Sequence, residues 1–447
     1  MIPSSLLQSL ESMPGFSRAD FEAVHASGVQ VTSVRLNPAK QPDTFSLPFS
    51  GQVPWCRDGR YLSERPSFTF DPIFHAGAYY VQEASSMFLW HALQATITEP
   101  AGMKVLDLCA APGGKSTLAA TYFEKGLVVS NEVIRARAAV LAENTAKWGT
   151  GNIIVTNNDP AHFQPFGDYF DAMIIDAPCS GSGLFRKDPD AVTEWSEGNV
   201  ELCSQRQQRI LADSLPALKE GGMLYYSTCS YSQAENEDIA DWLIREMDME
   251  SVEIPVEEWG IITTRSEQGA YGYRFYPHRL NGEGFFMAVF RKKGAGSSGR
   301  LKEQQLVLPG KQEMQQLADF MPLPAGYAYF KQAESIRAIP EQWLTDLKML
   351  AARLYIRRAG TEIGSIKGKD VIPAHELALS LFPLGHFPAL NLQKEDALQY
   401  LRRKEFSAEG VKGWNLIRCE GLPLGWVKVL PNRVNNYYPA EWRILKN

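Results

Sequence analysis

The stretch Val105-Leu-Asp107-Leu-Cys109-Ala110-Ala111-Pro112-Gly113-Gly114-Lys115-Ser116 decides the fold. An apolar run ends in an acidic residue and passes through small residues and two glycines into the helical pattern KSTLAATYFE. Glycine there lets the backbone approach a ligand closely where a helix begins, as in the first turn of a doubly wound nucleotide fold. The GGKS tail does not make a phosphate-binding P-loop. That loop needs glycine five positions before Gly114, and Cys109 stands there. Nor does the chain carry G-x-G-x-x-G after this strand, which disfavours a nicotinamide dehydrogenase.

Working outward, apolar runs alternate with helical patterns. LVVSNE (Leu127 to Glu132), NIIVTNND from Asn152, FDAMIIDAP from Phe170 and MLYYSTCS from Met223 supply four more strands of a parallel α/β sheet. GFFMAVFRK from Gly284 reads as a late strand at the sheet edge. Glu132 lies 25 residues after Asp107, where such a fold places a carboxylate against ribose hydroxyls, and Asp159 ends the third strand. Either carboxylate alone is more economically a solvated strand end. The clearest linker is the Gly/Ser-rich GAGSSGR, residues 294–300. The expected division is a small α+β domain over 1–99, the α/β domain over 100–293, the linker, a helical connecting segment over 301–360, and a mostly β module over 361–447.

The chain has 447 residues, 45% hydrophobic and 21% charged, which argues for several folded domains rather than disorder or coiled coil. Net charge is −6, but residues 1–300 hold 25 basic and 36 acidic side chains, whereas 301–447 hold 20 and 15. Any polyanion should therefore meet local basic patches or the C-terminal part. No secretory leader pattern and no run of eighteen apolar residues is present, so a cytoplasmic protein without a membrane partner is expected. The six cysteines never form C-x-x-C and the seven histidines show no ligand spacing, so neither disulfides nor a metal is expected.

Two of those cysteines stand out. The fourth strand ends in Asp176-Ala-Pro-Cys179-Ser-Gly-Ser-Gly183 and the fifth in Ser227-Thr-Cys229-Ser. Adjacent strand ends of an open α/β sheet converge on one crevice, so the two thiols should meet beside the nucleotide site. A cysteine in an apolar strand is usually a small buried hydrophobe, but these two lie past the apolar runs. Ser232 and Glu235 read as a capping box, which places Cys229 just before a helix N-terminus, where thiol pKa falls. Cys56, Cys203 and Cys419 read as packing residues.

CAAPGGKS, DAPCSGSG and YSTCSYSQAENE, in this order and spacing, resemble the Nol/Nop/Sun family of RNA cytosine-5 methyltransferases. The likeness covers roughly residues 75–292, and FHAGAYYVQEASSM (Phe74 to Met87) is similar to the family's entry into its catalytic domain. SVRLNPAK and GLPLGWVKVLPNRVNNYYPAEWR resemble the two ends of one bacterial branch, the F type acting on small-subunit ribosomal RNA. The resemblance implies a Rossmann-like class I methyltransferase core, a mostly parallel seven-stranded sheet, with a small α+β N-terminal domain and a PUA-like C-terminal module. It further implies S-adenosyl-L-methionine as cofactor, ribosomal RNA as partner, free or within the small subunit, and a monomer.

By that resemblance Cys229 attacks carbon 6 of the cytosine, Cys179 assists loss of the carbon 5 proton and release, and Asp176 contacts the base near ring nitrogen 3. The sequence by itself does not say which cysteine attacks. Cys109, Ala110, Ala111, Pro112, Gly113, Gly114 and Lys115 would wrap the cofactor, with Glu132 on its ribose, Asp159 near its adenine and Asp176 close by; Lys115 has the target base as its other reading. Arg186 and Lys187 read either as an RNA phosphate contact or as a solvated basic pair, and Tyr437 and Tyr438 either as base-stacking residues or as core. Two rival readings remain, a non-catalytic RNA-binding assembly factor that keeps the fold and a DNA cytosine-5 methyltransferase. An intact Cys179, Cys229 and Asp176 set counts against the first, and the motif order against the second.

Overall fold

The computed structural model describes residues 2–294, 296, 299, 301–406 and 409–446. After the helices Ser4–Leu10 and Arg18–Ala26, strands β1 (Thr32–Leu36), β2 (Phe49–Gln52), β3 (Gly59–Leu62) and β4 (Tyr79–Val81) form an antiparallel sheet ordered β2-β3-β1-β4. The chain then enters the large sheet.

Strands β5 (Lys104–Asp107), β6 (Leu127–Asn131), β7 (Ile153–Thr156), β8 (Phe170–Asp176) and β9 (Leu218–Thr228) run parallel in the order β9-β8-β5-β6-β7. The order reverses between β5 and β8, and ligands of such sheets bind at that switch point, beyond the carboxyl ends of the strands. Side chains alternate between two cores, as a pleated strand requires. Leu106, Val129, Ile154 and Met173 pack on one face, and Val105, Val128, Ile153 and Ile174 on the other. Burial on both faces explains why these strands read as unbroken apolar runs.

Next come β10 (Met249–Ser251), β11 (Ile262–Arg265), β12 (Tyr271–Phe275) and β13 (Phe285–Lys292). The late strand β13 is not at the edge. It lies antiparallel to β9 with β12 on its other side, and its Phe285 to Phe290 are all buried, as an inner strand demands. Strands β5 to β9 with β12 and β13 give the expected seven, and β10, β11 and a strand from far downstream extend the sheet to ten.

That distant strand belongs to the series β14 (Tyr327–Gln332), β15 (Ser335–Pro340), β16 (Ile356–Ala359), β17 (Thr361–Lys367) and β18 (Asp370–Pro373). β16 pairs antiparallel with β7, whereas β14-β15-β17-β18 form a separate antiparallel sheet. Residues 301–360, expected to be a helical connecting segment, contain two helices, Lys311–Phe320 and Leu344–Ala351, and also three strands, and the sheet they start continues past residue 360. Of the expected linker, Ala295, Ser297, Ser298 and Arg300 lie outside the described residues. The last sheet, β19 (Ala389–Asn391), β20 (Gly413–Cys419), β21 (Leu422–Leu430) and β22 (Arg433–Asn436), shares a core with the first. Ile417, Tyr400 and Tyr438 pack with Val34, Leu62 and Tyr79. Among the described residues no helix is long and apolar enough to cross a membrane.

Leu106 sits at the middle of the sheet with no exposed surface. Leu106→Ala should cost about 2–5 kcal/mol through lost burial and the cavity left behind. Denaturant unfolding followed by tryptophan emission measures this, and an unchanged midpoint would contradict the packing described.

Candidate active site

The turn after β5 is held from three sides. Gly113 has φ +116°, in the left-handed region that favours glycine, and a Cβ there would press to 3.2 Å of Leu141. From the helix Arg135–Trp148, Arg137 donates to the Ala111 carbonyl at 2.8 Å and Asn144 to the Pro112 carbonyl at 2.8 Å. From the N-terminal sheet, the buried Arg35 guanidinium lies 4.4 Å over the Trp148 ring and donates to Gln82 (2.8 Å), Thr117 (2.6 Å) and the Gly114 carbonyl (3.2 Å). Beneath the turn, Asp107 is fully buried. Its Oδ2 accepts from Ser116 at 2.6 Å while Oδ1 has no partner among the described residues, and burial pushes its carboxyl up to about 7.

β8 and β9 are paired so that Asp176 faces Ser227 across the ladder, and the Ser227 hydroxyl donates to Asp176 Oδ1 at 2.7 Å. Three residues past Asp176 and two past Ser227 the thiols meet, with Cys179 Sγ and Cys229 Sγ 3.0 Å apart. A disulfide would need about 2.05 Å, so these are touching free thiols. The hydrogen bond to Cys229, with burial, pushes the Cys179 thiol well above the ordinary thiol range. Gly183 N–H donates to the Cys229 carbonyl at 2.8 Å. A Cβ on Gly183 would lie 2.4 Å from the Gly284 carbonyl oxygen and 2.7 Å from that of Cys229, so only glycine fits this crossing. Lys115 Nζ reaches across from the first turn to Asp176 Oδ2 at 2.8 Å. Lys115 therefore points to the β8 strand end.

A cavity of about 410 Å³ joins these parts. Cys109, Ala110, Ala111, Pro112, Gly114 and Lys115 line it from the turn, Asp176 and Cys229 from the strand ends, and Tyr80 to Glu83 from the N-terminal sheet. Such a volume suits a nucleotide-sized ligand. Larger hollows of about 660 Å³ lie beside the last sheet and beside the N-terminal helices, and neither borders a cysteine. Gly113 and Cys179 are not among the cavity's lining residues. Glu132 and Asp159 do not line it either. Glu132 accepts from the Ile134 N–H at 2.9 Å and faces Arg137 at 3.5 Å, and Asp159 caps the short helix Pro160–Phe166 through the Ala161 N–H at 3.0 Å.

Several sequence readings change. The Arg186 side chain, 4% exposed, turns inward to Glu283, with Nε 3.7 Å from Oε2, and is not offered to an outside phosphate. Glu283 borders the cavity, is 1% exposed and has no hydrogen-bond partner on either carboxylate oxygen among the described residues, and burial raises its pKa. Nothing in Asn281-Gly-Glu-Gly-Phe285 flagged it, since a lone glutamate between glycines reads as a turn. The capping box is absent. Ser232 makes no side-chain cap bond, and the Glu235 carboxylate is engaged by Ser180 and Ser230 instead. Tyr438 is a core residue at 1% exposure, while Tyr437 is part exposed with its ring centre 4.5 Å from that of Trp414. Among the described residues no group of His, Cys, Asp and Glu could hold a metal ion.

A doubly wound sheet with a glycine turn at its switch point, strand-end carboxylates and a thiol pair on the adjoining strand ends defines an enzyme of the Rossmann-like, nucleotide-binding class. Three family models match in series: the N-terminal domain of 16S rRNA methyltransferase RsmF over residues 2–84, 16S rRNA methyltransferase RsmB/F over 95–291, and the methyltransferase RsmF PUA domain over 387–444. The chain is 31% identical over 410 residues to ribosomal RNA small subunit methyltransferase F of Shewanella loihica, covering 87% of this chain and 83% of that protein. It is 30% identical over 466 residues to the protein of the same name from Citrobacter koseri, covering 98% and 95%. Among solved structures, a methyltransferase homologue from Pyrococcus horikoshii aligns with TM-score 0.52 and 27% identity, over 65% of this chain and all of that one. NSun6 from the same organism aligns with TM-score 0.55 at 19% identity, over 65% and 98%, a likeness of fold. The chain belongs to the RsmB/F family of 16S rRNA methyltransferases, in its RsmF type, and so to the S-adenosylmethionine-dependent enzymes.

The buried Asp107 gives a pH test. In the folded chain it keeps its proton to about pH 7, whereas an unfolded aspartate ionises near pH 4 (roughly 3.9). The folded state thus binds more protons between those values, so this group's contribution is fully present below the unfolded pKa and is lost as pH rises through 7. The stability of Asp107→Asn relative to the unaltered chain should therefore rise from pH 5 to pH 8 in thermal unfolding. Superimposable differences at all pH values would rule the raised pKa out.

Proposed function

We propose that the chain methylates carbon 5 of a cytosine in 16S ribosomal RNA through a covalent bond between Cys229 and carbon 6 of the base. The observation that carries this reading is the sulfur contact of 3.0 Å beside the Lys115–Asp176 pair, on the cavity that the Cys109 to Lys115 turn also lines. A protein that binds RNA without reacting has no use for two touching thiols. Carbon 5 of cytosine is a weak nucleophile until carbon 6 carries an added group, and a thiolate supplies that group.

The residues present fit the cofactor. The glycine turn leaves the cavity open where side chains would fill it, Asp107 Oδ1 is a buried polar atom without a partner among the described residues, and Glu132 stands at the next strand end. Cys109 to Lys115 would hold its amino-acid part, and Glu132 and Asp159 would stand on its ribose and adenine side. S-adenosylmethionine supplies an electrophilic methyl group on a sulfonium.

The thiol pair divides the labour. The family resemblance assigns the attack to Cys229, once its proton has left to solvent, and Cys179, whose pKa the sulfur contact and burial raise, enters the reaction as a thiol. Once Cys229 is bound to carbon 6, Cys179 loses the neighbour that held its proton. Its proton passes to solvent, and the thiolate left takes the carbon 5 proton, the C5–H electron pair closing the ring double bond as the carbon 6–sulfur bond breaks and its pair returns to Cys229. Asp176 and Lys115 together offer an acceptor and a donor to the polar edge of the base, where charge develops during addition. Reaching this cavity requires the cytosine to leave its stack, so unpaired or locally melted RNA is the substrate form.

Methyl transfer from labelled cofactor into 16S RNA, offered both free and in small subunits, tests the reading. Cys229→Ala should lower it by about 10⁴-fold or more and form no adduct. Cys179→Ala should instead accumulate a denaturant-resistant protein–RNA complex. Exchange of these two outcomes would reverse the roles, and no methylation by the unaltered chain on either substrate would favour an assembly factor.

A further inference from the structure

Glu235 is fully buried, and its carboxylate joins the two cysteine loops. From the first loop, Ser180 gives its N–H to Oε1 at 2.7 Å and its hydroxyl to Oε2 at 2.6 Å. From the second, the Ser230 hydroxyl reaches Oε2 at 2.5 Å, and Gln207, on the helix Glu197–Ser214, donates to Oε1 at 3.3 Å. Ser180 and Ser230 directly follow Cys179 and Cys229. Four donors thus converge on the four acceptor sites of one carboxylate, and an amide of the same shape would turn two donors of its own toward them.

The support under Glu235 is equally specific. Its backbone carbonyl accepts from the buried Tyr226 hydroxyl at 2.6 Å. The next residue, Asn236, accepts from the Thr228 hydroxyl at 2.6 Å and donates to the Ser230 carbonyl at 2.8 Å. A capping glutamate would have stayed within its own helix, whereas this one spends three of its four hydrogen bonds on the loops that carry the thiols.

We propose that Glu235 is a positioning residue whose carboxylate latches the two loops together and so sets the distance between the Cys179 and Cys229 sulfurs. The distance follows from the hydrogen bonds alone, while its consequence for turnover rests on the roles proposed above for the two thiols. Loss of the latch lets the Cys179 loop move away, so release should suffer more than attack.

Oxidation by hydrogen peroxide reads the distance without RNA or cofactor. Two thiols and one peroxide give one disulfide and two waters, and the Cys179–Cys229 peptide pair is counted by mass spectrometry in the full chain. Glu235→Gln should slow this cross-link by about tenfold or more, since a displacement of about 1 Å at a reacting pair can cost a hundredfold. Ser180→Ala and Ser230→Ala, each removing one side of the latch, should slow it less, and they carry the test if Glu235→Gln fails to fold. An unchanged cross-linking rate in folded variants overturns the proposal. With 16S RNA, Glu235→Gln should accumulate the covalent complex as Cys179→Ala does. Slowed cross-linking with no complex in any variant leaves the latch standing and refutes the covalent reading, while complexes formed at an unchanged cross-linking rate do the opposite.

Discussion

Two loops leaving neighbouring parallel strands must here approach until backbone meets backbone. The register that sets Asp176 beside Ser227 delivers the loops side by side, and the crossing of Gly183 with the Cys229 and Gly284 carbonyls leaves no room for a Cβ. Close-packed interiors do not give way cheaply. The nearness of the two cysteine loops, on which the Glu235 latch then acts, the Lys115–Asp176 pair and the shape of the cavity wall depend on that crossing. Three separate stretches of sequence meet there, so its cost and its reward belong to the whole sheet.

The electrostatics of the site are settled within the protein. Lys115 balances Asp176, Arg186 stands beside Glu283, and Asp107 is relieved of its charge by burial. A site that receives a polyanion gains by having its own carboxylates already compensated, since each unpaired one would repel phosphate. This arrangement coexists with an acidic first part of the chain and a basic excess in residues 301–447.

The central strands and the meeting of the two thiols were legible because they follow from local signals: apolar runs of strand length, and polar or small residues where each run ends. What was not legible depends on partners distant in sequence. Phe285 to Phe290 form an inner strand because β12 folds back over them, and nothing within GFFMAVFRK announces that return. Ser232 and Glu235 match a capping box at their own spacing, and only Ser180, 55 residues away, reveals the other use of the glutamate. Arg186 read as a surface basic residue until Glu283 closed over it, nearly a hundred positions later.

β16 ties the C-terminal half into the catalytic sheet. Without it, β7 would present a bare row of N–H and C=O groups, the template on which sheets recruit stray chains. The downstream half is therefore no detachable accessory threaded on a string. Splicing another nucleic-acid module onto this enzyme at the Gly294 stretch would have to bring a substitute border for the β7 flank, and recombination that ignored it would trade specificity for clumping.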